Sequence, residues 1–382
     1  MSGWPQFSVK MLQDSRTNTM KPIAVLGTGN SGLAMAAHLA LGGHKVRLWG
    51  RSESSVCQLK HSLAIEVNGV ISGVGRLEIA TTDLAECISN VDLILVTTPA
   101  NAHESVACRL APVLRKGQTV VLNPGRTFGA LAFRTALREY GCTGVPTIAE
   151  TQTIIYTCRK LSPTEVNVVA FKNYALLASF TPAESRAVMA CLPEELRSHL
   201  VVADSMIETS LGNVGMILHC FPVLMNVGWI ESPHVNFNYY YDGITPSIAA
   251  LLEKLDAERV AVALAMGSKV SPLTDWLRRS YGSRGDKLCE LLQDTDAYHQ
   301  IDAPRSLEHR YLYEDVPCGL VPLESMGRSI GLSMTLTTLA IDLASVVVGV
   351  DFRSKGRKCG VRALEAVDFA TASQSNNANA QN

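Results

Sequence analysis

The sequence predicts an α/β protein in which a doubly wound parallel sheet, covered by helices, is followed by an all-helical domain. Three observations favour this fold. Short apolar segments alternate with helical ones in the first half, a glycine-rich turn follows the first apolar segment, and long amphipathic stretches fill the second half. The 382 residues suffice for two domains, because single cores stop growing near ~250–300 residues.

Four apolar segments of the first half predict strands. They cover residues 23–26, 45–49, 92–96 and 119–122, and a helical segment follows the first, third and fourth. The first predicted helix, residues 31–42, ends at a pair of glycines, a common helix stop. Strands that alternate with helices at this spacing indicate a parallel sheet with both faces buried.

The second half contains amphipathic stretches and no strand pattern of comparable quality. The predicted helical stretches are 206–227, 247–266, 272–280, 284–293 and 324–349. We therefore expect the first domain over residues 21–204 and the helical domain over 205–368. The polar segments 1–20 and 369–382 bury too little apolar area to order themselves, and we expect both to be disordered.

Composition argues against several classes of protein. The formal net charge is −1, so nothing favours nucleic acid or an anionic membrane as a partner. The ten cysteines show no C-x-x-C and no zinc-like spacing with histidine. Without an apolar signal core, a reduced cytoplasmic protein is expected. The apolar run 339–350 is interrupted by Asp342 and predicts a core helix, since it is too short to span a bilayer.

A G-x-G-x-x-G turn is formed by Gly27, Thr28, Gly29, Asn30, Ser31 and Gly32. It follows an apolar strand directly and begins a helix, which is the context of a Rossmann dinucleotide site. The glycines permit a tight turn, close approach of the backbone to a pyrophosphate and close helix packing, and the phosphates meet the helix N-terminus. We predict a nicotinamide dinucleotide and an oxidoreductase. The alternative is a turn that uses glycine for geometry alone.

The end of the second strand bears on the choice of dinucleotide. NAD enzymes usually carry an acidic residue there, whereas this chain has Gly50, Arg51 and Ser52. Arginine and serine can hold a 2′-phosphate that a carboxylate would repel. NADP is therefore the preferred cofactor, and NAD is favoured instead if Glu53 turns inward.

Two further turns follow predicted strands and should line the cofactor crevice. One contains Thr98 and Pro99, and the other contains Asn123, Pro124 and Gly125. Ligands of doubly wound sheets bind beyond the carboxyl ends of the strands. Each segment could equally be an ordinary turn.

Candidate chemical groups occur in the helical domain. His219 lies on an apolar segment just before Pro222, which makes it a candidate acid–base group, although a hydrogen-bonded core histidine is the common alternative. Arg310 could bind a carboxylate with two parallel hydrogen bonds. Asp315 could orient an imidazole and stabilise its charged form. A surface ion-pair cluster is the alternative for the polar segment 308–315.

Together these motifs resemble the opine dehydrogenase family, which includes octopine, nopaline and N-(1-carboxyethyl)-norvaline dehydrogenases. The resemblance extends from about residue 23 to residue 356. It is carried by residues 27–32, 123–125, 150–151, 213–219 with Pro222, 239–247, 256–259, 310–315 and 319–323. The later motifs are the most specific, because they belong to the helical domain rather than to Rossmann enzymes in general.

The resemblance implies reductive condensation of an amino acid with a 2-oxo acid such as pyruvate, using NAD(P)H, and the reverse oxidation. It implies that His219 and Asp315 form the catalytic pair and that Arg310 binds a substrate carboxylate. Asn213 would contact the substrate or the nicotinamide amide, and Glu150 would lie among the cofactor-binding residues. The long apolar helices leave room for an interface, so a homodimer is expected.

The chain also departs from the family pattern. Gly50 stands where the norvaline-type relative has Asp, and the residues Gln152 and Thr153 differ as well, so the amino acid and the 2-oxo acid stay open. Glycerol-3-phosphate, ketopantoate and 6-phosphogluconate type reductases are rivals, but they resemble one another in a lysine where this chain has Gly212. A non-catalytic dinucleotide sensor is a further alternative, against which the set of His219, Arg310 and Asp315 argues.

Overall fold

The computed structural model describes residues 21–299 and 301–357. The predicted disordered segments 1–20 and 369–382 lie outside the described residues, as does the predicted end of the helical domain. The described strands are β1 (Ile23–Leu26), β2 (Val46–Trp49), β3 (Ala64–Gly69), β4 (Gly73–Arg76), β5 (Ile79–Thr81), β6 (Leu93–Val96), β7 (Thr119–Leu122), β8 (Thr147–Thr151), β9 (Tyr156–Ser162), β10 (Glu165–Phe171), β11 (Ala175–Ala178) and β12 (Leu200–Val202).

Eight of these strands form the main sheet, in the order β12-β11-β8-β7-β6-β1-β2-β5. Neighbours pair in parallel, except that β11 runs antiparallel to β8. Strands β1 and β6 are buried along their whole length, which explains their uniformly apolar sequences, because helices cover both faces of a parallel sheet. The four predicted strands are present, each starting within one residue of its predicted position.

Helices flank this sheet and then form the second half. They are α1 (Asn30–Leu41), α2 (Glu53–Ser62), α3 (Leu84–Ile88), α4 (His103–Leu110), α5 (Gly129–Glu139), α6 (Pro182–Cys191), α7 (Glu194–Arg197), α8 (Met206–Leu211), α9 (Gly215–Met225), α10 (Val227–Ile230), α11 (Pro246–Ala265), α12 (Leu273–Tyr281), α13 (Leu288–Gln293), α14 (Arg310–Tyr313), α15 (Val321–Ser329), α16 (Thr335–Val348) and α17 (Phe352–Lys355). Single helical turns occur at Ala100–Ala102 and Asp296–Tyr298, and a π-helical turn occurs at Val316–Leu320.

A second sheet of four strands, in the order β4-β3-β10-β9, was not predicted. Its central pair, β3 and β10, joins segments about a hundred residues apart in parallel register, and no local pattern reports such a pairing. Ile65, Val67, Val166 and Val168 are buried between this sheet and α1. The small sheet thereby lies next to the dinucleotide turn that begins α1.

Two of the predicted long helices are interrupted. The stretch 206–227 divides after Leu211, where Gly212 ends α8 and α9 starts at Gly215. The stretch 324–349 divides at Gly331, whose φ of +80° is incompatible with helix continuation. The stretch predicted at 247–266 is α11, and Thr245 caps it by accepting the Ile248 N–H.

One apolar span of α8 and α9, Met206–Met225, has the length and composition of a membrane helix, but 78% of its most apolar window is buried inside the protein. Such burial is typical of a core helix. Its side chains belong to a hydrophobic core that is continuous with the main sheet and includes Phe128, Met216 and Leu320. The two halves of the protein therefore share one core.

An ion pair is buried within the helical half. Arg259 is fully buried, and its Nε donates to Asp256 Oδ1 at 2.7 Å. Its two terminal nitrogens donate to the carbonyls of Leu211 at 2.5 Å and Ser271 at 2.7 Å. Asp256 Oδ2 accepts the N–H of Leu273 at 2.7 Å, so the pair joins three helical segments.

Arg259→Met is expected to lower the free energy of unfolding by about 3–5 kcal/mol, because it leaves the Asp256 carboxylate buried without a counter-charge. Arg278→Met is the matched control, since Arg278 pairs with Asp275 at the same i,i+3 spacing on the surface. The control should change stability by less than ~1 kcal/mol. Urea denaturation followed by circular dichroism measures both. Equal midpoints for the two variants would contradict the structural role of Arg259.

Candidate active site

A cavity of about 510 Å³ lies between the two halves of the protein. The first half contributes residues of the dinucleotide turn, the turn after β7 and the small sheet, and the helical half contributes α9 and α14. The lining includes Asn30, Ser31, Pro124, Arg126, Cys158, Arg159, Lys172, Asn213, His219, Arg310 and Tyr311. Its position beyond the carboxyl ends of the strands is where doubly wound sheets bind ligands.

His219 is held rigidly at the wall of this cavity. Its Nδ1 hydrogen-bonds Asp315 Oδ2 at 2.7 Å, and its ring stacks on Tyr311 with 4.0 Å between ring centroids. The Tyr239 hydroxyl donates to the His219 carbonyl at 2.5 Å. Because Nδ1 is bound to the carboxylate, Nε2 is the ring nitrogen left for chemistry. Asp315 lies directly before the π-helical turn, a distortion that often occurs at functional sites.

Burial and neighbouring charges act in opposite directions on the pKa values of His219 and Asp315. Burial lowers the pKa of His219, and the Asp315 carboxylate partly restores it by favouring the imidazolium. Burial alone would raise the pKa of Asp315, but Arg126 and His219 outweigh it and hold that pKa below its ordinary value. Asp315 is therefore an anion at neutral pH, and its charge favours the protonated form of His219 against the effect of burial.

Arg126 connects this pair with the first half of the protein, and no role was predicted for it from the sequence. It follows β7 with a φ of +62° and is only 8% exposed. Its Nε donates to Glu314 Oε1 at 3.3 Å, and its Nη1 lies 3.4 Å from Asp315 Oδ1. The two carboxylates keep the pKa of Arg126 above its usual value although burial opposes its charge. The sequence feature that could have pointed to Arg126 is its position directly after Asn123-Pro124-Gly125.

Arg310 lies at the cavity wall as expected. Its Nε donates to Glu314 Oε2 at 3.0 Å, and about half of its side chain is exposed. The terminal nitrogens carry no ion pair within the described part of the chain, so they can bind a carboxylate. Glu314, also missed, accepts the N–H of Ala100 at 3.1 Å and so joins Arg310 to the turn after β6.

Asn213 lines the cavity but is 2% exposed, and its polar atoms have protein partners. Its Oδ1 accepts Arg126 Nη1 at 3.1 Å, and its Nδ2 lies 3.4 Å from Thr127 Oγ1. Asn213 therefore positions Arg126 in this structure, whereas the sequence suggested contact with substrate or nicotinamide.

The dinucleotide turn has the geometry that a pyrophosphate requires. Gly27 has a φ of +133°, and a Cβ on Gly32 would lie 1.9 Å from the Gly27 carbonyl oxygen. A Cβ on Gly29 would meet nothing within 4 Å, so the backbone there is open to a ligand. Helix α1 has no side-chain cap and no acidic residue in its first turn, which leaves its N–H groups for phosphate oxygens.

The turns after β6 and β7 lie at the same edge of the sheet. Thr98 Oγ1 is buried and has no hydrogen-bond partner among residues 21–299 and 301–357, and Pro124 lines the cavity. Asn123 is buried, with its Nδ2 on the Val121 carbonyl at 3.0 Å and a cis peptide bond to Pro124. The Gly125 N–H donates to the Thr151 carbonyl at 3.1 Å. Pro99 precedes the helical turn Ala100–Ala102.

Glu150, which was predicted among the cofactor-binding residues, joins several elements of the fold. It is fully buried. Its Oε2 accepts the Ala130 N–H at 2.7 Å, and its Oε1 accepts the Thr209 hydroxyl at 2.8 Å and the Ser210 hydroxyl at 2.5 Å. The carboxylate thus ties β8 to α5 and α8.

At the end of β2, Arg51 is exposed and Ser52 is the N-cap of α2, where its hydroxyl lies 3.0 Å from that of Ser54. A side chain on Gly50 would lie 2.6 Å from both Ser55 and Val56, so this position has no room for an acid. Glu53 pairs with Lys60 at 2.7 Å on the helix surface.

Comparisons with known proteins agree with this geometry. Residues 202–348 match the family model of the NAD/NADP octopine/nopaline dehydrogenase α-helical domain. Residues 22–124 match that of the NAD-dependent glycerol-3-phosphate dehydrogenase N-terminus. The chain is 37% identical to an opine dehydrogenase of Arthrobacter sp. (strain 1C) over 356 residues, which are 92% of this chain and 98% of the relative.

This chain belongs to the opine dehydrogenase family. The fold agrees with solved structures of octopine dehydrogenase with NADH and L-arginine (TM-score 0.71, 20% identity, 86% of this chain and 90% of that one). It also agrees with yersinopine dehydrogenase with NADP⁺ bound (TM-score 0.70, 15% identity, 92% and 97%). The chain is thus an NAD(P)-dependent oxidoreductase, and the predicted family and fold class are confirmed.

Asp315→Asn is expected to lower kcat/KM by roughly 10²–10⁴-fold, the usual range for a lost acid–base function. Without the carboxylate the pKa of His219 falls further, so the loss of condensation activity with rising pH should begin at a lower pH. Steady-state rates across pH and NMR titration of the ring measure both effects. Glu308→Gln, exposed in the same segment, is the control. An unshifted pH profile in Asp315→Asn would contradict the prediction that Asp315 acts with His219 in catalysis.

Proposed function

We propose that this opine dehydrogenase condenses an amino acid with a small 2-oxo acid, with His219 as the acid–base group. The observation that carries the proposal is the 2.7 Å hydrogen bond from His219 Nδ1 to Asp315, which leaves Nε2 at the cavity. A hydrogen-bonded core histidine, the alternative for this residue, would have no reason to line a cavity between domains. The same pair distinguishes the chain from a dinucleotide sensor.

In the condensation, the neutral amine attacks the carbonyl carbon and a C–N bond forms. Protonated His219 donates its Nε2 proton to the carbonyl oxygen and then takes a proton back from the nitrogen of the resulting amino alcohol. It donates this proton to the hydroxyl, which leaves as water while the nitrogen lone pair forms the C=N bond of the iminium ion. Asp315 stabilises the imidazolium before this transfer and fixes the ring orientation. When bound, the reduced dinucleotide supplies the hydride that converts the C=N carbon to C–H. In the reverse reaction neutral His219 accepts a proton.

Arg310 binds the carboxylate of the 2-oxo acid in this proposal. Its free terminal nitrogens suit bidentate binding, and it is four residues from Glu314, which fixes its Nε. Tyr311, the next residue, stacks on the His219 ring, so the carboxylate site lies beside the acid–base group. Such a position orients the carbonyl toward His219 Nε2.

The experiment is a screen of L-amino acids with pyruvate and other 2-oxo acids, following NAD(P)H oxidation. Oxidation is expected only when both organic substrates are present, because the amine supplies the nitrogen of the reduced bond. Turnover of the 2-oxo acid alone, independent of the amino acid, would instead indicate a simple 2-oxo acid or ketopantoate-type reductase. His219→Ala should abolish turnover and retain dinucleotide affinity.

The cofactor arm of this screen compares NADPH with NADH, and we propose that NADPH is preferred. Gly50 has no room for an acid, Glu53 is paired with Lys60, and Arg51 is free on the surface at the end of β2. Arg51→Ala should raise the KM for NADPH by about 10-fold, as expected for one lost charge-assisted hydrogen bond, and leave the KM for NADH within 2-fold. A wild-type preference for NADH would refute the assignment.

We further propose a homodimer through α11 and α16. These helices pack together and expose the apolar side chains of Leu264, Leu339 and Val346, the last being 81% exposed. Exposed apolar patches are typical of protein interfaces, and a second copy is the simplest partner. Sedimentation velocity should show a dimer for the wild type and a monomer for Val346→Glu. A monomeric wild type would reject the proposal.

A further inference from the structure

Lys172 is a cation at the cavity that has no role in the steps above. It directly follows β10 of the small sheet and lines the cavity between the domains. It also borders a smaller adjoining cavity with Trp276 and Arg279. Its ammonium donates to the Ile154 carbonyl at 3.2 Å and to Thr153 Oγ1 at 3.4 Å.

Two of the three N–H bonds of Lys172 are thus used by neutral oxygens, and the third has no acceptor among the described residues. No carboxylate of the described chain pairs with this ammonium. The other buried cation of the cavity, Arg126, is balanced by Glu314 and Asp315, and Arg310 is partly balanced by Glu314. Arg159, the remaining cation of the lining, is exposed, so Lys172 is the partly buried cation of the cavity without a counter-charge among the described residues.

The groups around Lys172 also carry too little negative charge to balance its ammonium. Burial, together with Arg126 and Arg310, lowers the pKa of Lys172 to about 8, although the Cys158 thiol opposes the shift. The ammonium is still mostly protonated at pH 7. An incoming anion would meet a cation whose solvation and counter-charge are both incomplete, which favours binding.

The chemistry of the substrates decides which group this cation can bind. The amine of the amino acid is a cation in water, and Lys172 would repel it. The two substrates together carry two α-carboxylates, of which Arg310 binds the one on the 2-oxo acid. A second carboxylate therefore needs a second cation in the same cavity.

We propose that Lys172 binds the α-carboxylate of the amino-acid substrate and so selects amino acids over simple amines. The assignment rests on the proposed function, because it presupposes that Arg310 serves the 2-oxo acid. Lys172 is then a substrate-binding residue supplied by the small sheet, and the condensation uses one cation from each half of the protein. The neutral oxygens of Thr153 and Ile154 hold the ammonium in place while its third N–H faces the substrate.

The test uses the full-length enzyme and matched pairs of amines. Each L-amino acid that turns over with pyruvate is compared with the amine that lacks its carboxyl group, such as L-arginine with agmatine or L-phenylalanine with phenethylamine. The amine is assayed as substrate and as competitive inhibitor. The variants are Lys172→Met, Lys172→Gln and Lys172→Arg. Arg279→Met is the control, because it removes an exposed cation that borders only the smaller cavity.

Lys172→Met and Lys172→Gln should raise the KM for the amino acid at least about 10-fold, the expected loss for a charged hydrogen bond, and leave the KM for pyruvate within 2-fold. The KM or Ki of the matched amine should stay within 2-fold in the same variants. Lys172→Arg should recover most of the amino-acid affinity, and Arg279→Met should resemble the wild type. Retained NADPH binding, measured by fluorescence, shows that each variant is folded.

An equal loss for the amino acid and its matched amine would overturn the inference, since Lys172 would then act on the amine or on the fold. A rise in the KM for pyruvate alone would assign Lys172 to the 2-oxo acid and overturn it as well. Unchanged constants in folded variants would remove Lys172 from substrate binding while leaving the proposed function intact. Absence of turnover by the wild type with every pair would refute the proposed function itself.

Discussion

The ion pairs of Arg126 with Glu314 and Asp315 are the interaction on which the active site depends. Arg126 belongs to the first half of the protein and both carboxylates to the second, and all three side chains are nearly inaccessible to water. Removing Arg126 would leave two buried carboxylates without the counter-charge that they share, a cost of several kcal/mol. Because Asp315 is held as an anion here, His219 acquires both its orientation and a neighbour that stabilises its protonated form.

The same cluster connects the turn after β6, the His219–Asp315 pair and Arg310. Glu314 accepts the Ala100 N–H in the turn after β6 and also fixes Arg310, which lines the cavity. Arg357 adds a contact from the far end of the described chain, since its Nη1 donates to the carbonyls of Gly125 and Thr127 at 2.8 Å. A buried polar network of this kind favours one arrangement of the parts that it joins. The domains are consequently joined by a shared apolar core and by a polar cluster at the cavity.

Features that depend on neighbouring residues could be predicted from the sequence, whereas contacts between residues far apart in the chain could not. The strand, turn and helix around Gly27–Gly29 follow from local periodicity and glycine geometry, and they were predicted with small errors in their ends. The small sheet was missed because β3 and β10 pair across about a hundred residues. Lys172 was missed with it, since it follows a strand that was not predicted. The hydrogen bonds that Glu150 accepts from α5 and α8 could not be predicted, because they join segments that are distant in the sequence.

The sequence by itself determined the fold class, the dinucleotide turn and the residue types that carry the chemistry, because periodicity, glycine geometry and ionisable side chains are local properties. Only the tertiary structure decided how these residues pair. It placed Arg126 against Glu314 across 188 residues of chain, turned Asn213 toward Arg126, and left Lys172 at the cavity without a carboxylate. The physical reason is that a charge acquires its role from the groups packed around it, and packing is a property of the folded chain as a whole.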